Sequence, residues 1–283
     1  MKRNHLPVTL GLIASMLTIT SCQKTEPNDK AKEEIETTFQ LGSDQAIAEN
    51  LTADAHTVFM EAAVDNNLTG QKPVSPTEAT GILGCATLSI TPLMGFPKTI
   101  LIDFGNGCIS PNGIARKGKI SITLSDSVRK SGSTAVMTFN DYFVAGFKKE
   151  GTITWTNTST TSVKGWQRKI ENGKITALGG RFWLHSGLTN TVQIVGYSTP
   201  LNLLDDEFTV TGNHTVSNSN GITATSAIVI PLEKKTACDN VSKGSIQLQG
   251  PNHTALIDFG NGTCDKIGTI SIDGSTPLSI MLK

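Results

Sequence analysis

The chain has 283 residues, in which 24 Lys+Arg balance 24 Asp+Glu; 37% of residues are hydrophobic and 17% charged. That length suffices for one large domain or two ordinary ones with a real core, and the apolar content with low charge argues against wholesale disorder. Zero net charge argues against a nucleic-acid partner, because phosphate affinity comes from an excess of Lys and Arg.

Lys2 and Arg3 open the chain, residues 6–19 are mostly apolar, and Ile19-Thr20-Ser21-Cys22 follows. This is the layout of a secretory signal, and the apolar stretch falls short of the ~20 residues of a membrane span. The Ile-Thr-Ser-Cys ending resembles the bacterial lipobox. The resemblance implies removal of residues 1–21, diacylglycerol on the Cys22 thiol and N-acylation by a palmitate-type chain. Gln23, where Asp would retain a Gram-negative lipoprotein at the inner membrane, implies the outer membrane. Such a chain meets the membrane through its N-terminal lipid, on the periplasmic face or the cell surface.

Residues 22–42 are polar, with Lys24, Glu26, Asp29, Lys30, Lys32, Glu33, Glu34 and Glu36, and read as a flexible tether. A helical unit is expected over 43–70, capped by Ser43 or Asp44. Ile47, Leu51, Val58, Phe59 and Ala62 share one face, and Asn66-Asn67 and Gly70 end it. Pro73 and Pro76 lead into a β domain over 80–283.

Strands are expected at 87–91, 99–104, 119–125, 134–147, 151–158, 165–171, 174–178 and 181–185, then at 191–197, 208–217, 223–231, 245–249, 255–259, 269–272 and 278–282. They are rich in Thr, Val and Ile, and Gly132, Asn172-Gly173 and Asn220-Gly221 read as hairpin turns. The expected fold is all-β: an antiparallel, β-sandwich-like scaffold with one N-terminal helix. A single elongated sandwich and two fused half-sandwiches fit equally.

An internal repeat marks both flanks. Leu101-Ile102-Asp103-Phe104-Gly105-Asn106-Gly107 recurs letter for letter as Leu256-Ile257-Asp258-Phe259-Gly260-Asn261-Gly262, within units at about 85–124 and 238–282. Each copy ends in a cysteine, Cys108 or Cys264, and each unit begins with one, Cys85 or Cys238. With Cys22 assigned to lipid, four cysteines remain and three pairings are possible. The repeat selects Cys85–Cys108 and Cys238–Cys264 as disulfides, each contributing ~3–4 kcal/mol by the chain-entropy model. A zinc site is the rival, but no pair has close ligand spacing and only His253 lies near.

Further along, Leu-Ile-Asp-Phe-Gly-Asn-Gly-Cys, Pro111-Asn112-Gly113 and Arg116-Lys117-Gly118-Lys119-Ile120 resemble a group of uncharacterised Bacteroidota lipoproteins. Asn140-Asp141-Tyr142-Phe143-Val144-Ala145-Gly146 and the stretch from Cys238 to Asp265 extend the likeness over roughly Gly81 to the C-terminus. The resemblance implies a fold and a location and carries no activity with it.

No metal, phosphate or nucleophile motif stands out, so no catalytic residue, metal or cofactor is expected. His56, His185, His214 and His253 read as surface or strand residues. Asp103 and Asp258 read as acceptors for their own turns rather than as a carboxylate pair or a calcium site. Arg116-Lys117-Gly118-Lys119 reads as a solvated basic cluster. Trp155 shares the face of Ile153 and reads as core. Core or edge packing is the first expectation for Trp166 and Trp183 too, with glycan contact the alternative, which exposure of both on one shared face would favour. Asp126-Ser127-Val128 resembles the short Bacteroidota O-glycosylation sequon, on Ser127. The expectation is a non-enzymatic envelope lipoprotein with a structural or interaction role, its partner an envelope protein or a glycan. A carbohydrate-binding surface lipoprotein is the alternative.

Overall fold

The computed structural model describes residues 29–70, 81–199, 203–238 and 240–282. The signal segment, Cys22, Pro73 and Pro76 lie outside them. One helix, α1 (Asp29–Asp65), precedes a 14-stranded antiparallel sheet. The strands are β1 (Thr87–Thr91), β2 (Lys98–Asp103), β3 (Cys108–Ile109), β4 (Ala115–Leu124), β5 (Thr134–Val144), β6 (Phe147–Asn157) and β7 (Gly165–Thr176), then β8 (Phe182–Val195), β9 (Glu207–Asn218), β10 (Thr223–Lys235), β11 (Lys243–Gln249), β12 (Thr254–Asn261), β13 (Ile267–Ile272) and β14 (Leu278–Met281). Apart from the short β3, which pairs with β4, they follow one another in chain order. The all-β reading with a single helix holds. All the strands belong to one continuous meander, so neither of the two layerings left open by the sequence describes it.

Strand periodicity explains the core. In β2 and β4 the alternation places Ile100, Ile102, Ile120, Ile122 and Leu124 on one buried face, and their neighbours outside. Ala135, Met137, Ile153, Ile170, Ile175, Trp183 and Val216 continue that face. The helix packs Leu41, Ala48, Ala55, Val58, Phe59 and Ala62 into the same core.

The sheet curls around the helix. Glu49 and Asp54 are about 8 Å apart along α1 at ~1.5 Å per residue. Asp54 pairs with Arg116 of β4, and Glu49 reaches Arg168 of β7 and His214 of β9. In a flat sheet β4 and β9 would stand ~24 Å apart at ~4.8 Å per strand. Only a strongly curved sheet brings both to one stretch of helix.

The helix also sets which end of the sheet is which. Its first part meets the β11–β12 turn, where Glu34 lies 3.8 Å from His253. Its end meets the β4–β5 loop, where the Leu68 carbonyl accepts from the Val128 N–H at 2.9 Å. Strand register places these connections at opposite ends of the sheet.

Three local readings are corrected. The stretch 29–42 is helix rather than tether, and Ser43 and Asp44 lie inside α1 instead of capping it. Asn172-Gly173 is no hairpin turn but a bulge within β7, opposite a second bulge at Gly151 of β6. The run 134–147 breaks at Ala145-Gly146, both at positive φ, to make the β5–β6 hairpin.

Candidate functional site

The cysteine pairs selected by the repeat stand at disulfide distance, with Cα–Cα 6.1 Å for Cys85–Cys108 and 5.3 Å for Cys238–Cys264. The repeats occupy the two flanks of the sheet. Asp103 and Asp258 each accept a hydrogen bond at 2.8 Å from the glycine N–H two residues on, Gly105 and Gly260. Asp103 also pairs with Lys119 at 2.8 Å, and that ammonium, followed by the Gly105 N–H, holds its carboxyl below the usual carboxylate range. Duplication thus copied a turn. Among the described residues no group of three His, Cys, Asp or Glu could hold a metal.

Charges meet beneath the helix. Arg116 is fully buried, against the expectation of a solvated cluster, while Lys117 and Lys119 remain outside. The alternation that turns Ile120 and Ile122 inward turns Arg116 inward too. It pairs with Asp54, donates to Asn112 Oδ1 at 3.2 Å, and its guanidinium lies 5.9 Å from the Phe104 ring centre. Lys149, also buried, donates to Thr52 Oγ1 at 2.9 Å. Burial pushes its ammonium down to about 7, despite nearby Glu49 and Asp54. Arg168 pairs with Glu49 and donates to Thr189 Oγ1 at 2.9 Å.

His185 and His214 stand in strands β8 and β9, as the strand reading has it, but they and His56 are turned inward rather than to the surface. His185 is 3% exposed, and neither ring nitrogen has a hydrogen-bond partner among the described residues. Burial, with Lys149 next, lowers it to about 3. His56 lies against Trp155 at 5.2 Å between ring centres, and burial, then Arg168, lowers it to about 4. His214 touches Glu49 at 3.4 Å and is lowered chiefly by burial, while His253 contacts Asp273 at 2.7 Å. This seam joins helix to sheet, and its acidic residues Glu49 and Asp54 are each paired with a cation from a strand.

Two open features stand among the described residues: a pocket of about 460 Å³ bordered by Glu150, Lys174 and His185, and a cavity of about 530 Å³ between the second half of α1 and the sheet end carrying the β4–β5 and β6–β7 loops. His56, Phe59 and Met60 line it from the helix, and Leu124, Ala135, Trp155 and Trp166 from the strands. Register pairs Trp155 with Arg168 and Asn157 with Trp166, so the two indoles are diagonal neighbours on the inner face, within reach of one ligand. Trp166 is 36% exposed and packs edge-on to Phe208 at 5.6 Å. Trp183 lies elsewhere, fully buried between Phe147 and the Arg181 guanidinium, and offers no face to a glycan.

The mouth is preformed. Asn157 Nδ2 donates to the Val128 carbonyl at 3.0 Å, its Oδ1 accepts from the Ser159 N–H at 2.9 Å, and the Gly132 N–H reaches the Asn157 carbonyl at 2.8 Å. These bonds tie the β4–β5 loop to the β6–β7 loop. Ser127 sits in the first of them, half-buried beside Gly70. The sequence marked Trp166 but not the cavity, because Phe59, Ala135 and Trp166 are distant in the chain and meet only through the curl.

No family model, curated protein or solved structure matches this chain. Among the described residues, no helix is long and apolar enough to cross a membrane.

Proposed function

We propose that the chain is a non-enzymatic lipoprotein of the cell envelope, anchored in the outer membrane through acylated Cys22, whose sheet serves as an interaction scaffold. The observation that supports this most is the role of α1. It begins at Asp29, a few residues beyond Cys22, and forms the second layer of the core. Acyl chains at Cys22 would therefore hang the whole folded body on a membrane, because the element next to the anchor is bonded to β4, β6, β7 and β9. More than one acyl chain makes such attachment stable. The disulfide-distance pairs suit an oxidising compartment. The seam suits holding rather than turnover, since Asp54 pairs with Arg116 and Glu49 with Arg168, and none of the four lines the cavity.

The test is metabolic labelling with a palmitate analogue in a Gram-negative host. Label should enter the native chain and not Cys22→Ser. Equal labelling of both would refute the anchor.

The carbohydrate-binding alternative has Trp155 and Trp166 in its favour. Against it, side-chain polar groups at the mouth are already committed to the loops: Asn157 at both ends, and Thr160 Oγ1 to the Val163 N–H at 3.2 Å. A sugar needs convergent, uncommitted donors and acceptors. A glycan array should therefore stay blank, and saturable binding of a glycan would favour the alternative.

A further inference from the structure

We infer that the cavity between α1 and the β4–β8 end of the sheet binds a small, uncharged aromatic molecule. The inference deepens the interaction role proposed above by giving it a ligand class; it rests on the cavity and is independent of lipidation.

Size comes first. About 530 Å³ lies within the ~300–1,000 Å³ typical of small-molecule sites. The walls come next, and both layers contribute rings to them. His56 and Phe59 line the cavity from the helix, with Met60 beside them, and Trp155 and Trp166 line it from the strands, with Leu124. Trp166 stays 36% exposed beside its Phe208 contact, so part of its indole is open to a guest. Aromatic rings stack or meet edge-to-face at ~4.5–7 Å between centres, a gain beyond simple burial that a saturated body does not make.

The polar groups of the lining select against charge. Ser133 Oγ donates to the Asp126 carbonyl at 3.0 Å, Asn157 is bonded at both ends of its amide, and Ser159 Oγ donates to the Gly165 carbonyl at 3.2 Å. Thr160 Oγ1 accepts from the Val163 N–H, and Gln193 Nε2 donates to Asp206 Oδ1 at 2.7 Å. Arg129 lines the cavity as well and already has a partner. The charges that remain, Lys164 and Asp206, are of opposite sign and favour neither an anion nor a cation. His56, enclosed against Trp155, is lowered to about 4 by burial and then by Arg168, so at neutral pH it adds a ring and no charge. A charged guest would give up its hydration here without a replacement partner, whereas an uncharged aromatic body loses little and is covered on two sides. The loops at the mouth are bonded to each other before any ligand arrives, which lowers the ordering cost of binding.

The experiment is calorimetric titration of the full chain carrying Cys22→Ser, a substitution that leaves every described residue intact and removes the need for detergent. The probes are 2-naphthylmethanol, its saturated decalin counterpart, 2-naphthoate and 2-naphthylmethylammonium. The naphthyl alcohol should bind saturably. The naphthoate and the naphthyl ammonium should both bind roughly tenfold more weakly or less, because each brings a charge that finds no partner. The decalin alcohol should bind several-fold more weakly, the scale of the lost ring contacts. Trp166→Ala, at a partly exposed strand position, should weaken the naphthyl alcohol roughly tenfold while circular dichroism stays unchanged. Ala135→Phe, which fills the cavity from a buried strand position, should abolish its binding. A charged probe that binds as tightly as the naphthyl alcohol would overturn the uncharged assignment, and a decalin alcohol that does so would overturn the aromatic one. Undiminished binding in Trp166→Ala would overturn the site, and absence of saturable binding by the naphthyl alcohol would overturn the inference. None of these outcomes bears on palmitate labelling, so the two proposals fail separately.

Discussion

Arg116 and Asp54 show what a single buried pair can decide. Arg116 is wholly enclosed and its partner only slightly exposed, so deleting one side leaves a charge with no water to turn to. Asp54→Ala should cost about 3–5 kcal/mol in urea denaturation. Lys130→Ala, which breaks the exposed Lys130–Asp126 pair, should leave the urea midpoint nearly unchanged. Backbone constraints act at the same scale. Gly118 has φ +81°, and a Cβ there would stand 2.0 Å from the Asp141 carbonyl oxygen, so Gly118→Ala should destabilise through strain. The buried bases set the pH response. His56 is held at about 4 against 6.5 when unfolded, and His185 at about 3. Between those values the unfolded chain binds the extra protons, so stability should fall as pH drops from about 6.5 toward 4. Lys149, lowered to about 7 from 10.5, works in the same direction at higher pH: its contribution to stability rises between those values. Measured urea midpoints should climb across both windows, and Lys149→Met should flatten the upper one. A midpoint independent of pH would contradict the buried seam.

At the scale of elements, α1 and the bulged strands carry most of the difference between sequence and structure. The start of the helix was hidden because its inward positions before Ile47 are mostly polar: Thr38, Asp44 and Gln45 are buried, and only Leu41 gives an apolar signal. Gly42 resembles a break but serves packing, since a Cβ there would come 2.9 Å from Leu248. Asn172-Gly173 has the residues of a hairpin turn, yet its neighbours keep pairing on both sides; Gly173 is small because the His185 ring lies against it. Residues 186–190 fell between two expected strands because Leu188 is their one apolar side chain, but Gly187 and Thr189 face His214 within β8–β9 pairing. What was legible was alternation and most turn glycines, both local signals, and the cysteine pairing, which the long-range repeat carried. If α1 is half of the core, Phe59→Ala should cost about 3–5 kcal/mol, and a chain lacking residues 29–70 should show no cooperative unfolding transition. A cooperative transition in that truncation would make the helix an accessory.

Across the whole molecule the sheet has a direction. Nine steps separate β1 from β11 along the strand order, so the two repeats run antiparallel and their cysteine pairs lie toward opposite ends. The sequence displayed the repeat but not this opposition, which follows only from the count of strands between the copies. The start of α1 shares its end of the sheet with the β9–β10 and β11–β12 turns, and the cavity mouth lies at the other. The residues between Cys22 and Asp29 can reach at most ~25 Å, whereas the 12 residues of β7 alone span ~40 Å. On a membrane the mouth should therefore face away from the bilayer. A fluorophore at Asn220→Cys should be quenched by a headgroup quencher and one at Thr161→Cys should not; the reverse pattern would invert the orientation.

All of this geometry would gain its cellular meaning from the proposed anchor, which mass spectrometry of the native protein from membranes tests most directly. The account predicts an N-terminal Cys22 carrying a diacylglyceryl group and an amide-linked acyl chain, with Cys85 bonded to Cys108 and Cys238 to Cys264. An unmodified Cys22 thiol in the exported protein, or four free thiols in the body, would contradict it.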